Sequence, residues 1–201
     1  MEVKPLKYKQ LNGISEKQLS EHHDVLYAGY VKKIQEIRQK LESADKESAN
    51  ATFSDFRALK IEESFALNGV RLHELYFDNL GGDGKAKGDI LKLIEADFGS
   101  FESWQKEFAA CGMSARGWVV LTYDWEERKL RNYVCDLHNQ GGIWGASPLL
   151  VLDMYEHAYF IDFATAKKKY IEAFMNNVDW DEVDNKIKQH RMMEHRNRTS
   201  P

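Results

Sequence analysis

The stretch Leu149-Leu-Val-Leu-Asp-Met-Tyr-Glu-His157 joins a short apolar run to two side chains that can bind metal. Four consecutive apolar residues read as a buried strand. Asp153 ends the run, and His157 follows four residues later. Strand ends are rigid and open outward, so a carboxylate there is well placed for function. One carboxylate with several neutral imidazoles suits a divalent transition metal. On the residues alone a second reading stands beside it, in which Asp153 caps the next helix and His157 is incidental.

Working outward, Trp118-Val-Val-Leu-Thr-Tyr123, the polar turn Asp124–Lys129 and the returning Leu130–Leu137 read as a β-hairpin. Leu149–Leu152 is then a third strand. Shorter helical segments precede the hairpin near Ala86–Asp97 and Ser100–Ser114, and helices over Thr165–Asn176 and Asp179–Gln189 finish the chain. The N-terminal third is helical. Ser15-Glu-Lys-Gln18 fits a capping box. Leu19, His22, His23, Leu26, Tyr27, Tyr30, Ile34, Ile37 and Leu41 then recur at helical spacing. Ser43–Asp55 reads as a loop. A second helix runs to about Leu80, where Gly81-Gly82-Asp83-Gly84 stops it. The fold class is α+β. An N-terminal antiparallel helical hairpin (residues 1–84) precedes a three-stranded antiparallel sheet with surrounding helices (residues 85–201).

A chain of 201 residues suits one domain or two intimate halves. Apolar residues make up 43% of it, enough for a core, and no apolar run approaches the ~20 residues that span a bilayer. The start lacks the layout of a secretory signal, so a soluble cytoplasmic protein is expected, with no membrane partner. Cys111 and Cys135 read as reduced, buried thiols. The net charge of −4, without a basic block before the far C-terminus, argues against a nucleic-acid partner. The basic tail His190–Arg198 reads as a solvated helix end.

Two further histidines stand out. His22 lies eight residues before Tyr30, about 2.2 helical turns, so both project from nearly one face. His73 sits on the second helix beside Leu72, Leu75 and Tyr76. Either imidazole alone reads as readily as a core or surface group. Larger patterns sharpen the reading. Asp153-Met-Tyr-Glu-His-Ala-Tyr159 resembles the D-x-W-E-H-A-Y signature of iron/manganese superoxide dismutases. His22-His23 followed by Tyr30-Val31 is similar to that family's first-helix motif, and Asn68-Gly69, His73 and Tyr76-Phe77 to its second-helix motif. Gly117-Trp118 opens the hairpin as in the family, and Tyr170–Trp180 resembles its penultimate segment.

The resemblance implies one iron or manganese ion per chain, held between the halves by His22, His73, Asp153 and His157 with a solvent molecule as fifth ligand. It implies the substrate, superoxide anion, and a homodimer or tetramer, with Glu156 as the residue that bridges to the partner's metal ligand. Departures from the family pattern are informative. The solvent ligand is usually hydrogen-bonded by a glutamine, either four residues before the second-helix histidine, here Gly69, or in the hairpin. Counting eight residues on from Leu130 reaches His138, and Gln140 competes if the alignment slips by two. An imidazole at 138 can titrate between about pH 5 and 8. Tyr30 and His138 are therefore the candidate catalytic residues that set the basicity of the bound solvent. Tyr155 and Val120 replace tryptophans, and Trp118 and Tyr155 would wall the site. Lys167 replaces an arginine and is a candidate for local attraction of the anion. Leu26 and Phe160 replace a histidine and a tyrosine that pair across the family's dimer, and losing both partners together is nearly neutral. Gly69 is manganese-like. His138 and Val151 are iron-like, and the balance points to iron. Two alternatives remain: a mononuclear metal hydrolase, which lacks a spare carboxylate base beside the ligands, and an inactive dismutase-like structural subunit, which would be expected to have lost ligands.

Overall fold

The computed structural model describes residues 1–197. Helix α1 (Glu16–Ser20) starts at Ser15, whose hydroxyl accepts from the Gln18 N–H. It runs without a break into a π-helical segment, Glu21–Tyr27, and on into α2 (Ala28–Ser43). Sequence periodicity leads one to expect a plain α-helix here. Instead the Ala28 N–H reaches back five residues to the His23 carbonyl. Such wider turns are rare and concentrate at functional sites.

After the loop over 44–54, Ser54 caps α3 (Asp55–Asp78) by accepting from Arg57 N–H. The contacts between α2 and α3 run in opposite senses. The Tyr27 region meets Glu74, Tyr30 lies against Gly69, and Arg38 faces Glu63. The pair is therefore an antiparallel hairpin. Gly69 permits its close approach, because a Cβ there would stand 2.8 Å from the Tyr30 ring.

Helices α4 (Gly88–Phe98) and α5 (Phe101–Ser114) lead into strands β1 (Trp118–Asp124), β2 (Lys129–Cys135) and β3 (Ala146–Asp153). The sheet order is β2-β1-β3, with both pairings antiparallel. Central β1 is buried from Trp118 to Tyr123, and β3 from Leu149 to Asp153. Burial on both faces explains why these segments are continuous apolar runs instead of alternating ones. The register sets Trp118 opposite both Cys135 and Asp153. The metal-capable end of β3 and the far end of the hairpin therefore meet at one tryptophan. The free edge of β3 is covered by buried Asn79 at the end of α3, which donates to the Leu149 carbonyl and accepts from Val151 N–H.

The chain closes with a 3₁₀ turn (Glu156–Ala158), α6 (Phe160–Phe163), α7 (Lys167–Asn176), α8 (Trp180–Gln189) and α9 (Met192–Arg196). The basic tail is not a solvated end. Met192 is fully buried, Arg196 forks onto both oxygens of Asp97, and His195 Nδ1 pairs with the Tyr123 hydroxyl. The last tail residue in the sequence reading, Arg198, lies outside the described residues.

Candidate metal centre

Four elements each deliver one part of the centre. The π-helical segment brings His22, α3 brings His73, the end of β3 brings Asp153, and the 3₁₀ turn brings His157. One ligand atom from each lies within 4.8 Å of all the others. Asp153 Oδ2 is 3.1 Å from Nε2 of both His22 and His157, and 3.6 Å from Nε2 of His73. Its other oxygen accepts from the Tyr155 N–H at 2.9 Å, which fixes the carboxylate plane. His22, His73 and Asp153 are buried to 1% exposure or less, while the His157 side chain is 25% exposed.

Hydrogen bonding sets the state of His73. Its Nδ1 donates to the Gly69 carbonyl at 2.6 Å, so a neutral ring carries no proton on Nε2. That bare Nε2 is buried and has no hydrogen-bond partner among the described residues. A buried polar atom left without a partner is costly, and a metal ion held among three imidazoles and one carboxylate would remove the cost. The electrostatics agree for three of the four residues. Burial, with the neighbouring His22, lowers the His73 pKa to about 3, and burial likewise lowers that of His22. Burial alone would raise Asp153, but attraction and hydrogen bonding from His157, then His22, hold its carboxyl well below the usual range. For His157 burial works downward, and the Asp153 charge more than reverses it. Two imidazoles are thus kept neutral and the carboxylate ionised, the states that metal binding needs, whereas Asp153 draws His157 toward its protonated form, so metal binding there would release a proton.

A second layer stands behind them. Trp118 Nε1 donates to His138 Nδ1 at 2.9 Å, and His138 Nε2 lies 2.7 Å from the Tyr30 hydroxyl. An indole can only donate, so His138 Nδ1 is bare and Nε2 carries the proton toward Tyr30. Burial lowers the His138 pKa to about 4, so this ring does not titrate between pH 5 and 8 as its type alone would suggest. Burial, with the Asp153 charge, raises the Tyr30 phenol and keeps it protonated. Gln140 is exposed, on the solvent side of the same turn. Tyr155 stacks on His157 at 5.3 Å and meets Trp118 edge-on, forming the wall. Lys167 stands half-buried at the start of α7.

Residues 86–186 match the family model for iron/manganese superoxide dismutases, C-terminal domain. Superoxide dismutase [Fe] of Aquifex pyrophilus is 41% identical over 187 residues, covering 90% of this chain and 88% of that one. The chain belongs to the iron/manganese superoxide dismutase family. Superoxide dismutase [Fe] of Aquifex aeolicus is 40% identical over 187 residues with the same coverage. Superoxide dismutase [Mn] of Haloarcula marismortui is 39% identical over 176 residues, covering 85% of this chain and 83% of its own. Relatives of both metal types are therefore close to this dismutase-family chain.

The departures from the family pattern take physical form in the fold. Gly69 serves the Tyr30 contact and, through its carbonyl, the His73 tautomer. Leu26 and Phe160 line one shallow surface depression with Val25, Glu156 and Ile161, above His157. One participant escaped the sequence reading. The Gln18 side chain, read as half of a capping box, does not return to Ser15; it bonds the His157 carbonyl across the molecule. The local S-x-x-Q spacing carries no trace of that contact.

Proposed function

We propose that this chain is a superoxide dismutase that converts two superoxide anions to dioxygen and hydrogen peroxide, with one iron or manganese ion held by His22, His73, Asp153 and His157. The observation that carries the reading is the bare, buried Nε2 of His73, which faces the ionised carboxylate of Asp153 within a closed set of four ligands. When bound, the metal supplies one-electron chemistry, cycling between +3 and +2 to oxidise one superoxide and reduce the next. The protein residues do the rest. Asp153 is the one anionic donor beside the imidazoles, so a bound divalent or trivalent ion would keep a net positive charge there and attract an anion. The Trp118–His138–Tyr30 chain fixes hydrogen-bond direction. Because the Tyr30 oxygen accepts from His138, its own proton is free to point into the site. Tyr30 and His138 are assigned the role of holding the proton that peroxide release requires. Lys167 adds local positive potential to a chain of net charge −4.

The wider assignments follow from the same reading. The halves are taken as residues 1–84 and 85–201, and the family's C-terminal match at 86–186 supports that boundary. A homodimer is assigned through the face of Val25, Leu26, Glu156, Phe160 and Ile161. Val25, Phe160 and Ile161 are exposed apolar groups there, and the partly open His157 lies beneath. No helix of the described residues is long and apolar enough to cross a membrane. The unpaired thiols Cys111 and Cys135 suit the reducing cytoplasm. The test is metal analysis of the purified chain, followed by dismutase assay of apo-protein reconstituted separately with iron and manganese. About one of these ions per chain with matching activity is expected. Zinc without dismutase activity would point to a hydrolase, and no metal to a structural subunit.

A further inference from the structure

Gln18 is buried at 1% exposure, and both ends of its amide are used far from its own helix. Nε2 donates to the backbone carbonyl of His157 at 2.5 Å, and Oε1 accepts from the backbone N–H of Ile161 at 3.2 Å. A parallel tie runs from the Ser15 N–H to the Asp162 carboxylate at 2.7 Å. The start of the N-terminal helix therefore grips the turn that carries His157. This ligand has most need of such support. It is the partly exposed member of the four, and it stands on a three-residue 3₁₀ turn followed by a four-residue helix. His22 and His73, by contrast, sit within long helical stretches.

We infer that Gln18 is a positioning residue that holds His157 on the metal by clamping the backbone of its turn from the opposite half. The inference rests on the dismutase reading of the four-residue cluster. The chemistry is specific to this side chain, because a primary amide offers a donor and an acceptor on one planar group. Asparagine is one methylene too short. Glutamate can accept from Ile161 but sets an oxygen against the His157 carbonyl. Leucine keeps the bulk and leaves both backbone groups without partners.

The test compares holoenzyme of the wild type with Gln18→Leu, Gln18→Glu and, as control, Ser100→Ala. The control removes a helix cap of the same kind from α5, which carries none of the four site residues and makes no contact with Gln18. Two quantities are read besides activity: the rate of metal release to a chelator, and the visible spectrum of the oxidised holoenzyme. Both Gln18 variants are expected to release metal about tenfold faster or more, the usual range for partners that orient a ligand, and to shift the spectrum. Ser100→Ala is expected to melt earlier with wild-type spectrum and release rate. If the leucine variant does not fold, the near-isosteric glutamate variant decides. Gln18 variants with wild-type spectrum and release would overturn the clamp, as would a Ser100→Ala protein that reproduces their changes. A wild-type chain holding neither iron nor manganese would instead bring down the reading of the site, and the clamp with it.

Discussion

At the scale of single residues, the centre is a matter of which nitrogen or oxygen is left bare. Asp153 is the one anionic donor, and its Oδ2 faces all three histidines. Asp153→Ala should therefore empty the site, lowering both metal content and activity by more than about 100-fold, the upper end for outer partners alone; elemental analysis and a dismutase assay check it. His138 makes a subtler prediction. His138→Gln should keep the metal but shift its potential, and with it the ratio of iron- to manganese-supported activity, whereas Gln140→Ala, at an exposed position, should leave both unchanged. Metal-free protein gives an independent reading of the same ring. His138 titrates at about 4 in the fold against 6.5 ordinarily, so between those values the unfolded chain binds the proton and the native one does not. Native stability thus falls as pH drops from 6.5 toward 4, by about 1.4 kcal/mol per pH unit for this one group. Chemical denaturation of apo-protein across that window should show a shallower fall in His138→Gln.

At the scale of elements, two features depend on close approach. The antiparallel α2/α3 pair brings Tyr30 onto the α3 backbone at Gly69. Gly69→Ala places a methyl against the ring and should cost about 1–3 kcal/mol through overpacking. It should also push Tyr30 off His138, which tyrosine and imidazole NMR signals would report. The C-terminal α9 docks on the hairpin through Arg196 and Asp97, whose Oδ2 also accepts from the Leu130 N–H at the start of β2. Asp97 is nearly fully buried, so Arg196→Ala leaves a carboxylate with fewer partners. A loss of about 2 kcal/mol is expected, typical of hydrogen bonds to charged groups, with faster amide exchange confined to the β1–β2 turn. Unchanged exchange there would mean that the tail does not brace the hairpin.

At the scale of the whole molecule, the centre exists only where distant parts of the chain meet. His22 and Asp153 are 131 residues apart, and Gln18 and His157 are 139 apart. The face above His157 combines exposed Val25, Phe160 and Ile161 with the Glu156 carboxylate. A second copy placed there would shield the one ligand that solvent reaches. Glu156→Ala is accordingly expected to raise the dimer dissociation constant and to weaken metal retention together, followed by sedimentation velocity across a concentration series. A wild type that sediments as a fully active monomer would contradict the dimer.

The sequence by itself determined the broad element types, the order of the strands along the chain and, through its family motifs, the four residues that the fold gathers into one cluster. Periodicity and apolar runs act over a few residues, and the Asp153–His157 spacing is local to one strand end. Tertiary structure decided the rest. The helical pattern of Leu19–Tyr30 is the same for an α- or a π-turn, and the choice falls to packing against α3 and the turn beyond β3. Gln18 fits a capping box equally well whether or not its amide leaves for another element. The basic tail looks solvated until Met192 finds the core and Arg196 finds Asp97. His138 and Gln140 differ by two positions in the chain, yet one is buried against Trp118 and Tyr30 and the other is exposed. Desolvation and the direction of a hydrogen bond are properties of the surroundings. They fix the His138 proton and the bare nitrogen of His73, and those surroundings come from residues far away in sequence.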